Sequence, residues 1–406
     1  MKPGLLPLDD ALAQLLSHAT PLTGIESVST FDADGRVLAQ DLVSQLQVPP
    51  QDNSSMDGYA VRVSDMGVDA AVLPVSQRIP AGSAPQPLMP GSVARIFTGA
   101  PIPQGADAVV MQEDSEPAGE GQVRILRRPA PGQWIRRSGE DVTRGAVVLS
   151  RGERLTPASL GLAASIGTDL LAVSRRPRVA LFSTGDELVM PGEVPPAQMK
   201  PGAIYNSNRF FLRALLLRLG CVVQDMGIVP DRREATVQAL REAAADCDLI
   251  LTSGGVSVGE EDHIKPAVQA LGSLDLWQIA MKPGKPFAYG RIGAAHFIGL
   301  PGNPVSSFIT FVLLVRPFLL KLQGATQLTP KSMPLPAHFE LPRGDKRREF
   351  LRARRDAEGG LALFPNQSSG VLTSTVWGDG LIDNPPGRAI AHGDRVSFIP
   401  LAELLA

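Results

Sequence analysis

The spacing of apolar residues changes character along the chain, and each change predicts a different kind of structure. Leu8, Leu12, Leu15 and Leu16 recur at helical spacing, which predicts an amphipathic helix over 8–18 docked on a later part of the chain. From Glu26 to Gln47 the pattern shortens to strands separated by Asp34-Gly35, and Val48-Pro49-Pro50 then makes a stiff extended segment. Residues 56–142 alternate apolar and polar positions, as in Ala94–Phe97 and Ala108–Met111, between Pro-Gly and Gly-rich turns, and read as all-β.

From Arg178 to about Gln323 buried strands alternate with helices. The strands are Val179–Phe182, Val222–Val223, Leu249–Leu251 and Phe297–Leu300; the helices run near 209–219, 233–245, 263–271 and 305–322. Strand-helix alternation of this kind predicts a doubly wound, mostly parallel sheet with helices on both faces. After about Thr326 the pattern returns to β. Arg348, Phe350, Arg352 and Arg354 fall on one face of a strand, and Ile390–Ile399 reads as a closing hairpin.

In open α/β sheets ligands bind beyond the C-terminal strand ends, so what stands there matters. The loops are Ser183-Thr184-Gly185-Asp186-Glu187, Asn206-Ser207-Asn208, Pro230-Asp231, Ser253-Gly254-Gly255 with Ser257 and Asp262, and Pro301-Gly302-Asn303-Pro304. All of them gather polar or acidic residues, most beside a glycine or proline. Two adjacent glycines after an apolar strand let the backbone approach a ligand, and their amides with the Ser253 and Ser257 hydroxyls can grip oxyanions. Glu260, Glu261 and Asp262 suit a bridging divalent cation, or hydroxyl and amine donors on a ligand. Met281-Lys282-Pro283-Gly284-Lys285-Pro286 adds a rigid cationic corner suited to a tetrahedral oxyanion.

Composition narrows the class. A chain of 406 residues exceeds one ordinary core, so several domains are expected. A formal charge of −2 offers no case for non-specific nucleic-acid binding. Cys221 and Cys247 sit in apolar or helical contexts and read as packed thiols in a reducing compartment. The N-terminal stretch lacks the pattern of a signal peptide, and the apolar run 308–322 is broken by Arg316-Pro317; the expectation is a cytoplasmic protein with no membrane span. There is no HExxH helix, hydrolase elbow, P-loop lysine or GxGxxG turn. Carboxylates (Asp57, Glu187, Asp231, Asp262), cations (Lys282, Lys285, Arg352) and glycine loops remain. That set fits Mg²⁺-assisted handling of a phosphate-bearing anion by positioning and electrostatics.

Seven motifs stand in one order: NSSMDGYAVR (53–62), FTGAPIPQGADAVVMQE (97–113), STGDEL (183–188), NSN (206–208), SGGVSVGEEDHIK (253–265), MKPGKP (281–286) and LPGNPVS (300–306). Over essentially its full length the chain resembles the molybdopterin molybdenumtransferase family, which includes the C-terminal domain of gephyrin. The resemblance implies conversion of adenylylated molybdopterin and molybdate into molybdenum cofactor and AMP, with Mg²⁺ required. It implies that Asp57 and Thr98 reach the cleft from a lid, and that Glu187, Asp231 and Asp262 are its acids, with Glu187 and Asp262 on the metal. Lys282, Lys285, Arg352 and Ser369 would hold molybdate or phosphates, while Asn208, Pro301 and Pro304 shape the pocket. Gln278 follows Trp277 where family members often carry lysine, so no cation contact is expected there.

The resemblance also implies an architecture: an N-terminal helix (1–23) packed with the α/β domain (177–326), an elongated connecting and dimerisation domain (24–50 and 145–176), a β lid (51–144) and a C-terminal small β-barrel (327–406). A homodimer would share its active clefts, the lid of one chain completing the site of the other. The sibling activity, adenylylation of molybdopterin, is carried by a domain resembling only 177–326, and a gephyrin-like scaffold would not need intact acids and Lys282. Tungstate resembles molybdate in size and charge and stays open as the oxyanion.

Overall fold

The computed structural model describes residues 5–67, 70–255 and 263–405. At its centre a six-stranded sheet runs in the order Val222–Val229, Arg178–Thr184, Leu249–Ser253, Ala295–Leu300, Pro286–Ile292, Gly272–Gln278. The first four strands are parallel, and the last two join antiparallel. Alternate residues of each strand face opposite sides of the sheet, and both sides are buried. Val179, Leu181, Leu249, Leu251, Ile298 and Leu300 enter one core with the helices Asn208–Arg218 and Pro304–Leu322. Ala180, Phe182, Ile250 and Phe297 enter a second core under the helices Arg233–Asp246 and Ile264–Leu271.

From the Arg178–Thr184 strand the chain crosses to Val222–Val229 on one side and then returns to Leu249–Ser253 on the other. This reversal opens a crevice beyond the strand ends, the usual place for a ligand in such sheets. The four parallel strands are those the apolar runs predict. The antiparallel pair was not predicted: Gly272–Gln278 is a largely exposed edge strand, and Pro286–Ile292 opens on proline.

The helix Leu8–Ser17 buries Leu8, Ala11 and Leu15 in the first core. Lys321 Nζ donates to Leu16 O at 2.9 Å, and Leu6 N donates to Gln278 O at 2.8 Å. The run 304–322 is one continuous helix, as the expected helix over 305–322 requires, and it passes through Arg316-Pro317. A π turn over Phe311–Val315 precedes the proline. It widens the helix where the ring would otherwise meet the preceding turn and the missing N–H would interrupt the ladder. This helix is long and apolar enough to cross a membrane, but it lies buried in the protein core.

Before the central sheet, six strands between Gly58 and Ile125 form a second sheet, ordered 108–111, 58–61, 93–96, 71–79, 122–125, 115–117. Ile25–Ser29 pairs with Leu170–Ser174, and Leu42–Val43 with Val147–Leu149, so chain on either side of that sheet is tied together. The C-terminal sheet runs Met281–Lys282, Arg348–Arg355, Gly380–Asn384, Arg395–Pro400, Met333–Pro336. The hairpin expected at 390–399 does not form: Arg395–Pro400 pairs with Gly380–Asn384 and Met333–Pro336, and Ile390 bridges Leu341. The alternation in 348–354 does not separate a wet from a dry face, because Glu349 through Ala353 are all buried. The molecule is thus a multidomain assembly of α/β and β parts.

Candidate active site

A cleft of about 720 Å³ opens beyond the C-terminal ends of the parallel strands. Thr184, Gly185 and Glu187 come from the first strand end, Asp231 from the second, Ser253, Gly254 and Gly255 from the third, and Pro301 to Pro304 from the last. Asn206, Ser207 and Asn208 bring the helix start that follows the first strand. The loops picked out from their separate sequences therefore share one wall.

Backbone shape explains the glycines. Gly185 has φ +144°, and a Cβ there would stand 2.5 Å from Glu187 Oε2, so glycine lets that carboxylate fold back. Gly254 and Gly255 have φ of +93° and +68°. A Cβ on Gly255 would meet Ile264 Cδ1 at 2.4 Å. Gly254 N already donates to Leu300 O at 3.0 Å. The sequence-based expectation that both glycine amides face an oxyanion is corrected here, since the Gly254 amide joins neighbouring strand ends.

Asn208 Nδ2 donates to Ser253 Oγ at 2.6 Å and to Gly302 O at 2.7 Å. One buried amide thus ties the third loop to the last and fills one lone pair of Ser253, leaving its hydroxyl proton for another acceptor. Asn206 Oδ1 accepts from Arg209 N at 3.2 Å and caps the helix. The C-terminal region reaches the rim: Ser369 O accepts from Val305 N at 3.0 Å, and Gly370 lines the cleft.

The expected cations stand elsewhere. Lys282 Nζ lies 3.2 Å from Glu349 Oε1 and 3.3 Å from Asp345 Oδ2. The Arg347 side chain, its amide and Lys282 hold the Asp345 carboxyl well below the usual range against the opposing effect of burial. Arg352 is 1% exposed and donates to Phe350 O, Ser368 O and Ser374 Oγ. Burial pushes its guanidinium down to about 10. Arg352 is therefore not on the cleft wall; it holds the 367–370 loop from behind. Lys285 is also absent from the wall, although its neighbour Pro286 lines it.

Asp57 and Thr98 find each other but do not line this chain's cleft. Thr98 donates to Asp57 Oδ1 from both N and Oγ1 at 2.8 Å. Those bonds, with Arg95 nearby, hold the Asp57 carboxyl below its ordinary range against slight desolvation. Ser257 and Asp262 lie outside the described residues. Tyr205 and Ser306 also line the cleft. Tyr205 carries little signal in the sequence, because its hydroxyl turns away to Val194 O at 2.7 Å.

Among the described residues no group of three His, Cys, Asp or Glu could hold a metal alone. Glu187 and Asp231 nevertheless share the cleft wall. Mg²⁺ commonly takes one or two carboxylates and completes its shell with phosphate oxygens and water, so this donor set suits it.

Three family models cover the chain: the MoeA N-terminal region (domain I and II) over 6–167, a probable molybdopterin binding domain over 180–321, and the MoeA C-terminal region (domain IV) over 334–401. The chain is 44% identical to a molybdopterin molybdenumtransferase of Haemophilus influenzae, across 80% of this chain and 79% of that protein. It is 38% identical to molybdopterin molybdenumtransferase 2 of Mycobacterium tuberculosis, across 92% of this chain and 93% of that one. The molybdopterin biosynthesis moeA protein of Pyrococcus horikoshii superposes with a TM-score of 0.84 at 29% identity, covering 98% of this chain and 100% of that chain. This doubly wound sheet with its acid-lined crevice belongs to a cofactor-building transferase: the chain is a member of the molybdopterin molybdenumtransferase family.

Proposed function

We propose that this transferase inserts molybdenum from molybdate into adenylylated molybdopterin and releases AMP, in the cytoplasm. One observation carries the reading: Thr184-Gly185, Glu187, Asp231, the Ser253-Gly254-Gly255 turn and Pro301–Pro304 meet in one cleft large enough for a nucleotide-linked heterocycle. All of these except Asp231 lie in segments that carry the family motifs.

Each residue then has a task. Ser253, oriented by Asn208, and the Gly255 amide face the phosphate oxygens. Glu187 and Asp231, with Asp262, hold Mg²⁺; when bound, the ion neutralises charge on the pyrophosphate and on the departing AMP. Asp57 and Thr98 reach the cleft from a lid spanning 51–144, inserted into a connecting domain made of 24–50 and 145–176. In a homodimer the lid of one chain covers the cleft of its partner, which accounts for their absence from the cleft of their own chain. The small β-barrel at 327–406 supports the rim through Ser369 and Arg352. Lys282 and Lys285 guide molybdate toward that rim.

The test uses purified protein with Mg²⁺, molybdate and adenylylated molybdopterin. AMP release that requires molybdate is expected, and Asp262→Ala is expected to lower the rate by about 100-fold or more, as loss of a principal electrostatic group does. Normal release by that variant removes Asp262 from the site. Tungstate in place of molybdate reports the oxyanion preference.

A further inference from the structure

The cleft wall carries Glu187 and Asp231, and no lysine or arginine is among its described lining residues. Lys282 is engaged by Asp345 and Glu349, and Arg352 is buried behind the rim. A ligand with a pyrophosphate and a tetrahedral oxyanion brings more negative charge than one divalent ion neutralises. A surface that closes over the cleft is one source of further positive charge besides the lysines at the rim.

Such charge stands beside Asp57 and Thr98. The Arg95 guanidinium lies 4.8 Å from the centre of the Phe97 ring and 5.2 Å from that of Tyr59, and the Arg78 guanidinium lies 4.6 Å from that of Phe97. Arg95 also donates to Gly58 O at 3.2 Å and to Gln112 Oε1 at 2.8 Å. Neither arginine makes a salt bridge among the described residues. Aromatic faces and neutral acceptors fix the direction of Arg95, which lies near the Asp57 carboxylate without forming an ion pair with it among the described residues. The positions adjoin those of the exposed pair, since Phe97 precedes Thr98 and Tyr59 follows Asp57-Gly58.

We propose that Arg95, backed by Arg78, binds the tetrahedral oxyanion of the substrate, phosphate or molybdate, over the acid-lined cleft of the partner copy. The proposal rests on the function stated above. It adds a charge-supplying residue between Asp57 and Thr98, so that the site is electrostatically complete only with both chains in place.

The experiment measures AMP release by full-length Arg95→Gln, Arg95→Lys and Arg78→Gln against each substrate in turn, at low and high salt. Arg95→Gln is expected to raise the half-saturating concentration of one substrate by about tenfold, the loss of one charge-assisted contact. Which substrate moves tells phosphate from molybdate. Arg95→Lys recovers part of the affinity, and high salt weakens the wild type more than Arg95→Gln. Unchanged saturation by both substrates in Arg95→Gln at low salt overturns the proposal. Thermal unfolding shows whether the loss of the Gly58 and Gln112 contacts unfolds the sheet. In that event Arg78→Gln, at an exposed position, decides: weaker saturation supports the proposal and unchanged saturation overturns it. Co-expression of Asp231→Ala with Arg95→Gln chains gives mixed dimers with one site of wild-type half-saturation if the arginine acts across the dimer; no such site in the mixed dimers overturns that placement. A wild-type protein that releases no AMP on molybdate addition sinks the functional reading instead.

Discussion

Asn208 spends both protons of one amide on the cleft, holding Ser253 and the Gly302 carbonyl at once. Asn208→Ala is expected to cost about 1–3 kcal/mol in stability, because buried partners lose a hydrogen bond they cannot replace. It should lower the rate of AMP release more than the folded fraction, because Ser253 then turns freely. Chemical denaturation read beside initial rates checks both. Residue type and position made Asn208, Glu187 and Asp231 legible in advance, since each sits at a strand end or helix start where polar groups have no core to join. Arg352 was legible only as a cation. Its burial depends on which strands and loops cover it, and spacing along one strand does not carry that information.

At the scale of elements, the Gly254-Gly255 turn is the most constrained piece of the site. Gly255→Ala would place a methyl 2.4 Å from Ile264 Cδ1 at a φ of +68°. The expected outcome is a destabilisation of about 1–2 kcal/mol from backbone strain alone, with AMP release falling much further because the loop must shift away from the ligand. A variant that binds adenylylated molybdopterin as the wild type does would contradict this. The three inner parallel strands were legible because they are buried on both faces and read as apolar runs, whereas the edge strand Val222–Val229 showed only its first two residues. The antiparallel edge pair escaped because Gly272–Gln278 keeps most of its side chains in water. The helix over 305–322 was legible, but the π turn that accommodates Pro317 has no signature in the order of residues.

At the scale of the molecule, acid sensitivity should trace in part to His296 in the central sheet. Burial, with Arg291 and His18 adding to it, pushes this imidazole down to about 4, and its Nδ1 lies 2.9 Å from the Tyr289 hydroxyl. The unfolded chain takes up that proton near the ordinary value of about 6.5, so stability is full above it and declines as pH falls toward 4. The decline attributable to this residue is about 3 kcal/mol. His296→Gln should flatten the fall in unfolding free energy between neutral and acidic pH, and an equally steep fall in that variant would exclude the assignment. The overall division into a helix, β segments and an α/β centre was legible from periodicity, but the sharing of edges was not. Met281-Lys282 reads as a loop and yet pairs with the Arg348–Arg355 strand, a partnership made between segments far apart in the chain.

The N-terminal helix has a consequence for how the protein is made. Its apolar side, Leu8, Ala11 and Leu15, shares a core with chain as distant as Leu319 and Leu322. At ribosomal speeds of about 5–20 residues per second, that chain emerges roughly 15–60 s after the helix does. Throughout that interval the helix is an amphipathic segment of the nascent polypeptide awaiting its neighbour, and a holding chaperone would find a binding site there.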